Sequence, residues 1–585
     1  MLDPRIYRAG LLPALLALIV AAFSLEQPPR ALTAELPPDS FSGERAFRTL
    51  QELAARFPAR DPGSAGDAAV AGRVRGVFAA SGLRVRVRDF DARTVKGRRG
   101  LQTVMGVRTG RSRRSLVVLA HRDSLDRPGD ASLSGTAALL ELARVFEGRT
   151  LRRTLVLVST SGGTGGAAGA AEAARRLPGP VDAVLVLGDL AGTRLRRPMV
   201  VPWANTPVVA PALLRRTAQA ALRQETGLRS GEPGLLAQFA RLAFPLTTGE
   251  QGVLGERGLP AVLMSVSGER GPDAGTPVRR RRLSEAGRAV LRTVTALDAR
   301  RGPPPEPRAE LLAARQVIPG WALRALVGAL ILPVLLAAVD GFARVRRRRH
   351  PVGMWLAWVL AGAVPFAAAA LFAFALALAG VLPAVPPAPV PEGAVPLEGG
   401  ALAALAAVAL VLAGGWLVLR PGLLRLAGVR GDPDSPGAGA AVALMLVAVA
   451  VAVWAFNPFA AALLLPALHG WLVVVTPEVR MRRPAAVALI GVTLLPLLGV
   501  VVYYALTLGL GPLDLAWMAL LLVAGGHLGV LGVAAWCLLL GCLASVLAIA
   551  RAGRFAPETP IASTRGPVSY AGPGSLGGTE SALHR

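Results

Sequence analysis

From residue 321 to residue 550 the chain is a succession of apolar runs, and this constrains its architecture more than any other feature. The runs fall at 321–340, 354–382, 401–419, 438–456, 459–476, 485–508 and 514–550. A helix crosses the hydrocarbon core with about 20 apolar residues, so each of the first six is one span. The seventh is too long for one straight helix. Gly525, Gly526 and His527 are expected to divide it into a short half-helix and a full span. An eighth run, 9–25, follows Arg5 and Arg8 and is either an uncleaved anchor or a signal peptide.

Arginine alternates between the connections. Arg344 and Arg346 to Arg349, then Arg420, Arg425 and Arg430, then Arg480, Arg482 and Arg483, and finally Arg551 and Arg554 follow every second span. The other connections, 383–397, 457–458 and 509–512, contain no arginine. Positive charge stays on the cytoplasmic side. With the first anchor, eight spans then leave both termini inside and residues 26–319 outside. The expected plan is an anchor or signal (1–25), an extracytoplasmic domain (26–319), a bundle of about seven spans (320–551) and a disordered cytoplasmic tail (552–585), in a multi-pass plasma-membrane protein.

Composition enters here to exclude alternatives. Only 17% of the residues are charged, against about 25% in a water-soluble domain. The net charge is +27, yet no nucleic-acid module or aromatic stacking platform accompanies it, so nucleic acid is not an expected partner. Lys96 is the only lysine, a skew that fits a GC-rich coding bias. Both cysteines, Cys537 and Cys542, lie in the last apolar run, so no disulfide frames the outer domain. The expected partners are the lipid bilayer and a peptide or protein substrate, or a membrane-protein partner.

Residues 26–319 have soluble composition and alternate helix with strand. Helical spacing covers 44–57, 68–81, 135–146, 167–176 and 283–297. Strand patterns cover 83–87, 115–120, 154–158, 183–187 and 261–266. This order predicts an α/β fold with a mostly parallel sheet and helices on both faces. Sites in such sheets lie beyond the carboxyl ends of the strands, where His121-Arg122-Asp123 and Asp189 fall.

Five segments in order carry a resemblance: Arg60-Asp61-Pro62-Gly63-Ser64, His121-Arg122-Asp123-Ser124, Ser134-Gly135 with Glu141-Leu142-Ala143-Arg144, Gly188-Asp189-Leu190, and Gly258-Leu259-Pro260-Ala261. The set resembles metallopeptidase family 28, the co-catalytic di-zinc aminopeptidases. The one-anchor, seven-span layout is similar to the peptidase-like component of GPI transamidase and to multispanning endoplasmic-reticulum metallopeptidases. The resemblance implies a zinc-aminopeptidase-like sheet, with His121, Asp130 and Asp189 as metal ligands and Asp123 as the catalytic carboxylate that orients the histidine.

The same resemblance implies losses. The bridging aspartate aligns with Ala131, with Asp130 one residue early. The pair of glutamates that supplies the general base and a ligand falls in 161–166, Ser-Gly-Gly-Thr-Gly-Gly, which has no carboxylate. The late histidine aligns with Gly275 and its acid with Arg279. His121 is the only histidine in 26–319. At most one zinc ion is therefore expected, or none. For the lone His121 the plain alternative is a hydrogen-bonded core group. Arg279 to Arg282 read as a solvated face; a sharper expectation has one of them neutralising Asp189 or Asp130.

Three functions follow. The first is a catalytically degenerate, membrane-tethered peptidase-like protein that binds a substrate or partner. The second is an active zinc-dependent exopeptidase with a reduced metal site. The third is a transporter or lipid-handling protein, for which the candidate intramembrane ionisable groups are His469, His527, Asp340 and Asp514.

Overall fold

The computed structural model describes residues 4–37, 39–125, 130–302, 305–313, 316–383, 386, 388–390, 393–476, 478–479 and 481–552. Of Asp130 only the backbone is described, and the 553–585 part of the expected tail lies outside these residues.

Helix α1 (Pro4–Phe23) leads into α2 (Gly43–Arg56) and α3 (Ala65–Ala80). Strands β1 (Arg84–Thr94), β2 (Gly97–Arg108) and β3 (Ser112–His121) follow. Next come α4 (Ser134–Val145), β4 (Arg153–Thr160), α5 (Ala168–Ala174), β5 (Val181–Leu187) and β6 (Val200–Val201). Helices α6 (Ala212–Thr226), α7 (Leu235–Ala243) and α8 (Glu250–Glu256), strand β7 (Ala261–Met264) and helix α9 (Arg280–Ala299) complete the α/β part. The sheet order is β1-β2-β4-β3-β5-β7-β6. Its centre, β4-β3-β5-β7, is parallel, and β1, β2 and β6 join antiparallel.

The chemistry of the strands explains the split. In β4 every residue is buried, as a strand covered on both faces requires. β1 alternates arginine with apolar residues and is largely exposed at the sheet edge, where charge blocks further pairing. The mostly parallel expectation thus holds for the core, while a long antiparallel hairpin, 84–108, replaces the short strand expected at 83–87. Helices α6 to α8 are additions to the expected pattern. Gly135 lets α4 lie directly on the carboxyl end of β5, because a Cβ there would stand 2.5 Å from the Leu187 carbonyl oxygen.

A two-stranded hairpin of β8 (Glu310–Ala313) and β9 (Gln316–Pro319) links the two parts. Glu26, just past α1, pairs with Val317 by backbone hydrogen bonds of 3.0 and 2.8 Å, so the exit of the first helix is tied to the start of the next. The apolar region comprises α10 (Gly320–Arg347), α11 (Val352–Leu378), α12 (Gly399–Gly414), α13 (Arg420–Leu426), α14 (Pro436–Phe456), α15 (Pro458–Val475), α16 (Arg483–Leu508), α17 (Pro512–Ala524) and α18 (Gly529–Ala552). Among the described residues eight helices are long and apolar enough to cross a membrane, α12 and α13 forming one continuous span. The long last run divides at 525–528 into the short α17 and the full-length α18.

Of the ionisable groups inside the bundle, His469 is a structural tie. Its Nδ1 meets the Tyr7 hydroxyl at 2.6 Å and its Nε2 meets the Leu330 carbonyl at 3.0 Å, joining α1, α10 and α15. Asp340 pairs with Arg344 one turn along α10. The α/β part rests on the bundle end that carries the arginine-free connections: Asn457 donates to the carbonyls of Leu242 and Ala243 at 2.9 and 3.1 Å, and Trp536 stacks on Phe244.

Candidate functional site

The carboxyl ends of β3, β4 and β5 bring His121, Thr160 and Leu187 to one edge of the sheet. His121, half-buried, is the last residue of β3. Its Nδ1 faces Glu250 Oε2 across 3.5 Å. Glu250 opens α8 and is 2% exposed, and its other oxygen accepts a 2.6 Å hydrogen bond from the Thr160 hydroxyl. Oε2 itself is buried without a hydrogen-bond partner. Burial would lower the His121 pKa, but the Glu250 contact and the charges of Glu250 and Asp123 outweigh it and hold the imidazole above its ordinary value.

Asp123 is almost fully buried, and its oxygens accept from the Gly163 N–H (2.9 Å), the Thr164 N–H (3.1 Å) and the Thr164 hydroxyl (2.6 Å). Its visible role is to hold the glycine-rich loop. The carboxylate that faces the His121 ring nitrogen belongs to Glu250, and Asp123 acts on the imidazole through its charge. Gly163 shows why that loop carries no side chain here. A Cβ at this position would meet His121 Cβ at 2.3 Å and Glu250 Cδ at 3.2 Å. The segment where the resemblance would put a pair of glutamates is thus packed flat against the histidine, and Glu250 reaches the histidine from another helix.

Behind this edge lies a buried ion pair. Arg122 and Asp67 are 0% and 1% exposed, with Nε 2.8 Å from Oδ1. Arg122 also donates to the carbonyls of Ser159 and Gln102 at 3.1 and 2.7 Å. Asp67 Oδ2 accepts from the Gly63 N–H and the Ser161 hydroxyl. Burial raises the Asp67 pKa, partly opposed by the charge of Arg122. Arg60 crosses from the neighbouring loop to Ser132 Oγ at 3.2 Å.

Asp189 follows β5 and turns inward. Oδ1 accepts from the N–H groups of Gly192 (2.7 Å) and Ala191 (2.9 Å) and from the Ser134 hydroxyl (3.3 Å). Oδ2 is buried with no hydrogen-bond partner. Burial raises its pKa against those donors. The loop with Gly275 to Arg279 does return to this turn, through Arg279 N–H to Ala191 O (2.9 Å) and Thr193 N–H to Pro277 O (3.0 Å). The guanidinium replacement at Asp189 does not occur: Asp189 has no ion pair among the described residues. Arg279 is exposed, Arg280 pairs with Glu44, and Arg281 pairs with Glu285 at 2.7 Å. The start of α9 points these chains outward.

The zinc ions implied by the resemblance do not fit the described donors. Asp123 and one oxygen of Asp189 are committed to backbone N–H groups, and among the described residues no three His, Cys, Asp or Glu side chains are grouped to hold a metal. The side chain of Asp130 lies outside the described residues. What remains is a protonatable histidine beside a buried carboxylate, suited to hydrogen-bonding a polar ligand.

Solved structures similar to this chain include a glutaminyl cyclase from Fimbriiglobus ruber, at 16% identity over 46% of this chain and 99% of that one, with a TM-score of 0.35. They also include BSAP, a zinc aminopeptidase from Bacillus subtilis (13% identity, 45% and 98% covered, TM-score 0.36), and a glutaminyl cyclase from Porphyromonas gingivalis (16%, 44% and 99%, TM-score 0.33). No family model and no curated protein matches the chain.

Proposed function

We propose that this is a membrane-tethered, peptidase-like protein whose hydrolytic centre is degenerate and whose α/β part binds a peptide or protein ligand, or a membrane-protein partner. One observation carries the reading. The 161–166 loop, free of carboxylates, is bonded to Asp123 and packed on His121, which leaves no place there for a general base. Loss of a general base costs about 10²–10⁴-fold in rate. In this reading the α/β part faces the outside of the plasma membrane, and the arginine-bearing connections face the cytoplasm.

A second reading, an exopeptidase with a single zinc held by His121, Asp130 and Asp189, is favoured by the unpartnered Oδ2 of Asp189. One experiment separates the two: zinc analysis of the full chain in detergent after dialysis, with an aminopeptidase assay on the same sample. We expect less than one equivalent of zinc and no aminoacyl or dipeptide hydrolysis. Two retained zinc ions, or chelator-sensitive turnover lost in a folded His121→Ala variant, would overturn the degenerate reading.

A further inference from the structure

We infer that the buried Arg241–Glu269 pair is a positioning node through which the membrane helices hold Glu250 against His121. Arg241 lies on α7 and is 3% exposed, an unusual place for a guanidinium. Its Nη1 and Nη2 meet the two oxygens of Glu269 at 3.1 and 2.6 Å. Its Nε donates to the Tyr503 hydroxyl at 3.0 Å, and its charge lies 5.6 and 5.1 Å from the rings of Tyr503 and Tyr504 on α16. A guanidinium can serve a bidentate carboxylate and aromatic faces together, whereas an ammonium cannot.

The other side of the node leads to the candidate site. Glu269 Oε1 also accepts the Thr248 N–H at 3.0 Å. Arg241 further donates to the Leu246 carbonyl, so both ends of the 246–248 turn are gripped. The next residue, Gly249, is the N-cap position of α8, and Glu250 begins it. The turn is fixed independently by Asn205 Oδ1, which accepts the Thr247 N–H at 3.0 Å, and by Gln251, which donates to the Thr247 hydroxyl at 2.9 Å. The chain therefore has little slack between the outer end of α16 and the Glu250 carboxylate. Tyr504 adds a second tie from the same helix, to the Phe244 carbonyl. Movement of α16 relative to the sheet is transmitted to the His121–Glu250 contact.

This inference does not depend on whether the site hydrolyses anything, and its test needs no turnover. The full chain, in lipid nanodiscs, would be compared with the double variant Tyr503→Phe/Tyr504→Phe and with Arg241→Lys. Two readouts are hydrogen exchange by segment and the ¹⁵N imidazole signal of His121, assigned with His121→Ala. The expected result is exchange in 246–256 that rises about tenfold or more while 280–299 stays within about twofold, as for opening of one local unit. The His121 signal should shift in both variants. The inference fails if folded variants leave 246–256 and the His121 signal unchanged. It also fails if exchange rises equally in 280–299, which would make the pair a general brace. Should Arg241→Lys not fold, the tyrosine variant, which keeps both charges, decides alone.

Discussion

Two buried arginines, Arg122 and Arg241, stand near carboxylates that differ in how fully they are hydrogen-bonded. At the seam with the bundle, every nitrogen of Arg241 and both oxygens of Glu269 are engaged. At the sheet edge, Arg122 is equally enclosed, but two carboxylates of the candidate site, through Glu250 Oε2 and Asp189 Oδ2, are buried without hydrogen-bond partners. Burying a polar atom unsatisfied costs about 1–3 kcal/mol, more if charged. A fold tolerates this where the atoms have another use, and the sheet edge is where the two carboxylates are left under-bonded. The difference separates a fully bonded joint from an under-bonded edge, the candidate site.

The largest effect should come from Arg122→Met. It leaves Asp67 with no cation in a fully enclosed site, and breaking such a pair costs about 3–5 kcal/mol. Thermal unfolding of the full chain should show a large loss, and a change under about 1 kcal/mol would mean that Asp67 is neutral in the folded protein.

Next come two isosteric changes that set the regions against each other. Glu269→Gln should cost about 1.5–3 kcal/mol, because it removes the charge that Arg241 is built around while the amide oxygen keeps part of the hydrogen bonding. Glu250→Gln should cost less than about 1 kcal/mol, because the carbonyl oxygen can keep the Thr160 hydrogen bond and the contact weakened, to His121 at 3.5 Å, is a long one. Equal losses in parallel denaturation experiments would erase the distinction between joint and site.

How much of this was legible in the sequence depends on the range of the interaction. Spans were readable because about 20 successive apolar residues are a local property. Gly525 and Gly526 marked the break before α18 for the same reason. His121 and Asp189 were readable as residues at the carboxyl ends of β3 and β5, since continuous apolar runs announce buried strands. The β1–β2 hairpin was missed although residues 84–88, Arg-Val-Arg-Val-Arg, alternate strictly; the signal was present and its length underestimated. Glu250 had no such signal. It stands on a seven-residue helix, 90 residues from Thr160, and only tertiary packing brings it to His121. Arg241 was equally silent: a basic residue on a short helix reads as solvent-facing until Tyr503, 262 residues later, covers it. Arg279, Arg280 and Arg281 show the converse error at Asp189, where alignment to a lost motif suggested a contact and these chains are instead exposed or paired with Glu44 and Glu285.

A third charged cluster, whose loss should be far smaller than that of Arg122→Met, calibrates the other two. Glu225 on α6 accepts from Arg288 at 2.8 Å and from Arg292 at 2.7 Å, both on α9. Burial would raise its pKa, but the hydrogen bonds and charges of the two arginines outweigh this and hold the carboxyl below its ordinary value. A carboxylate depressed in the folded state binds fewer protons there than in the unfolded chain. Its stabilisation is therefore complete above the unfolded pKa and is lost as pH falls through the folded one. Solvent reaches this clamp more than it reaches Arg122 or Arg241, so screening limits the contribution to about 1 kcal/mol. Glu225→Gln should lower stability by that amount at neutral pH and by progressively less as pH falls below about 4. A matched pH series of unfolding curves for the two proteins would show the curves converging in acid. Curves that stay parallel would mean that Glu225 acts only through packing, and a loss as large as that of Arg122→Met would mean that exposure does not rank these ion pairs.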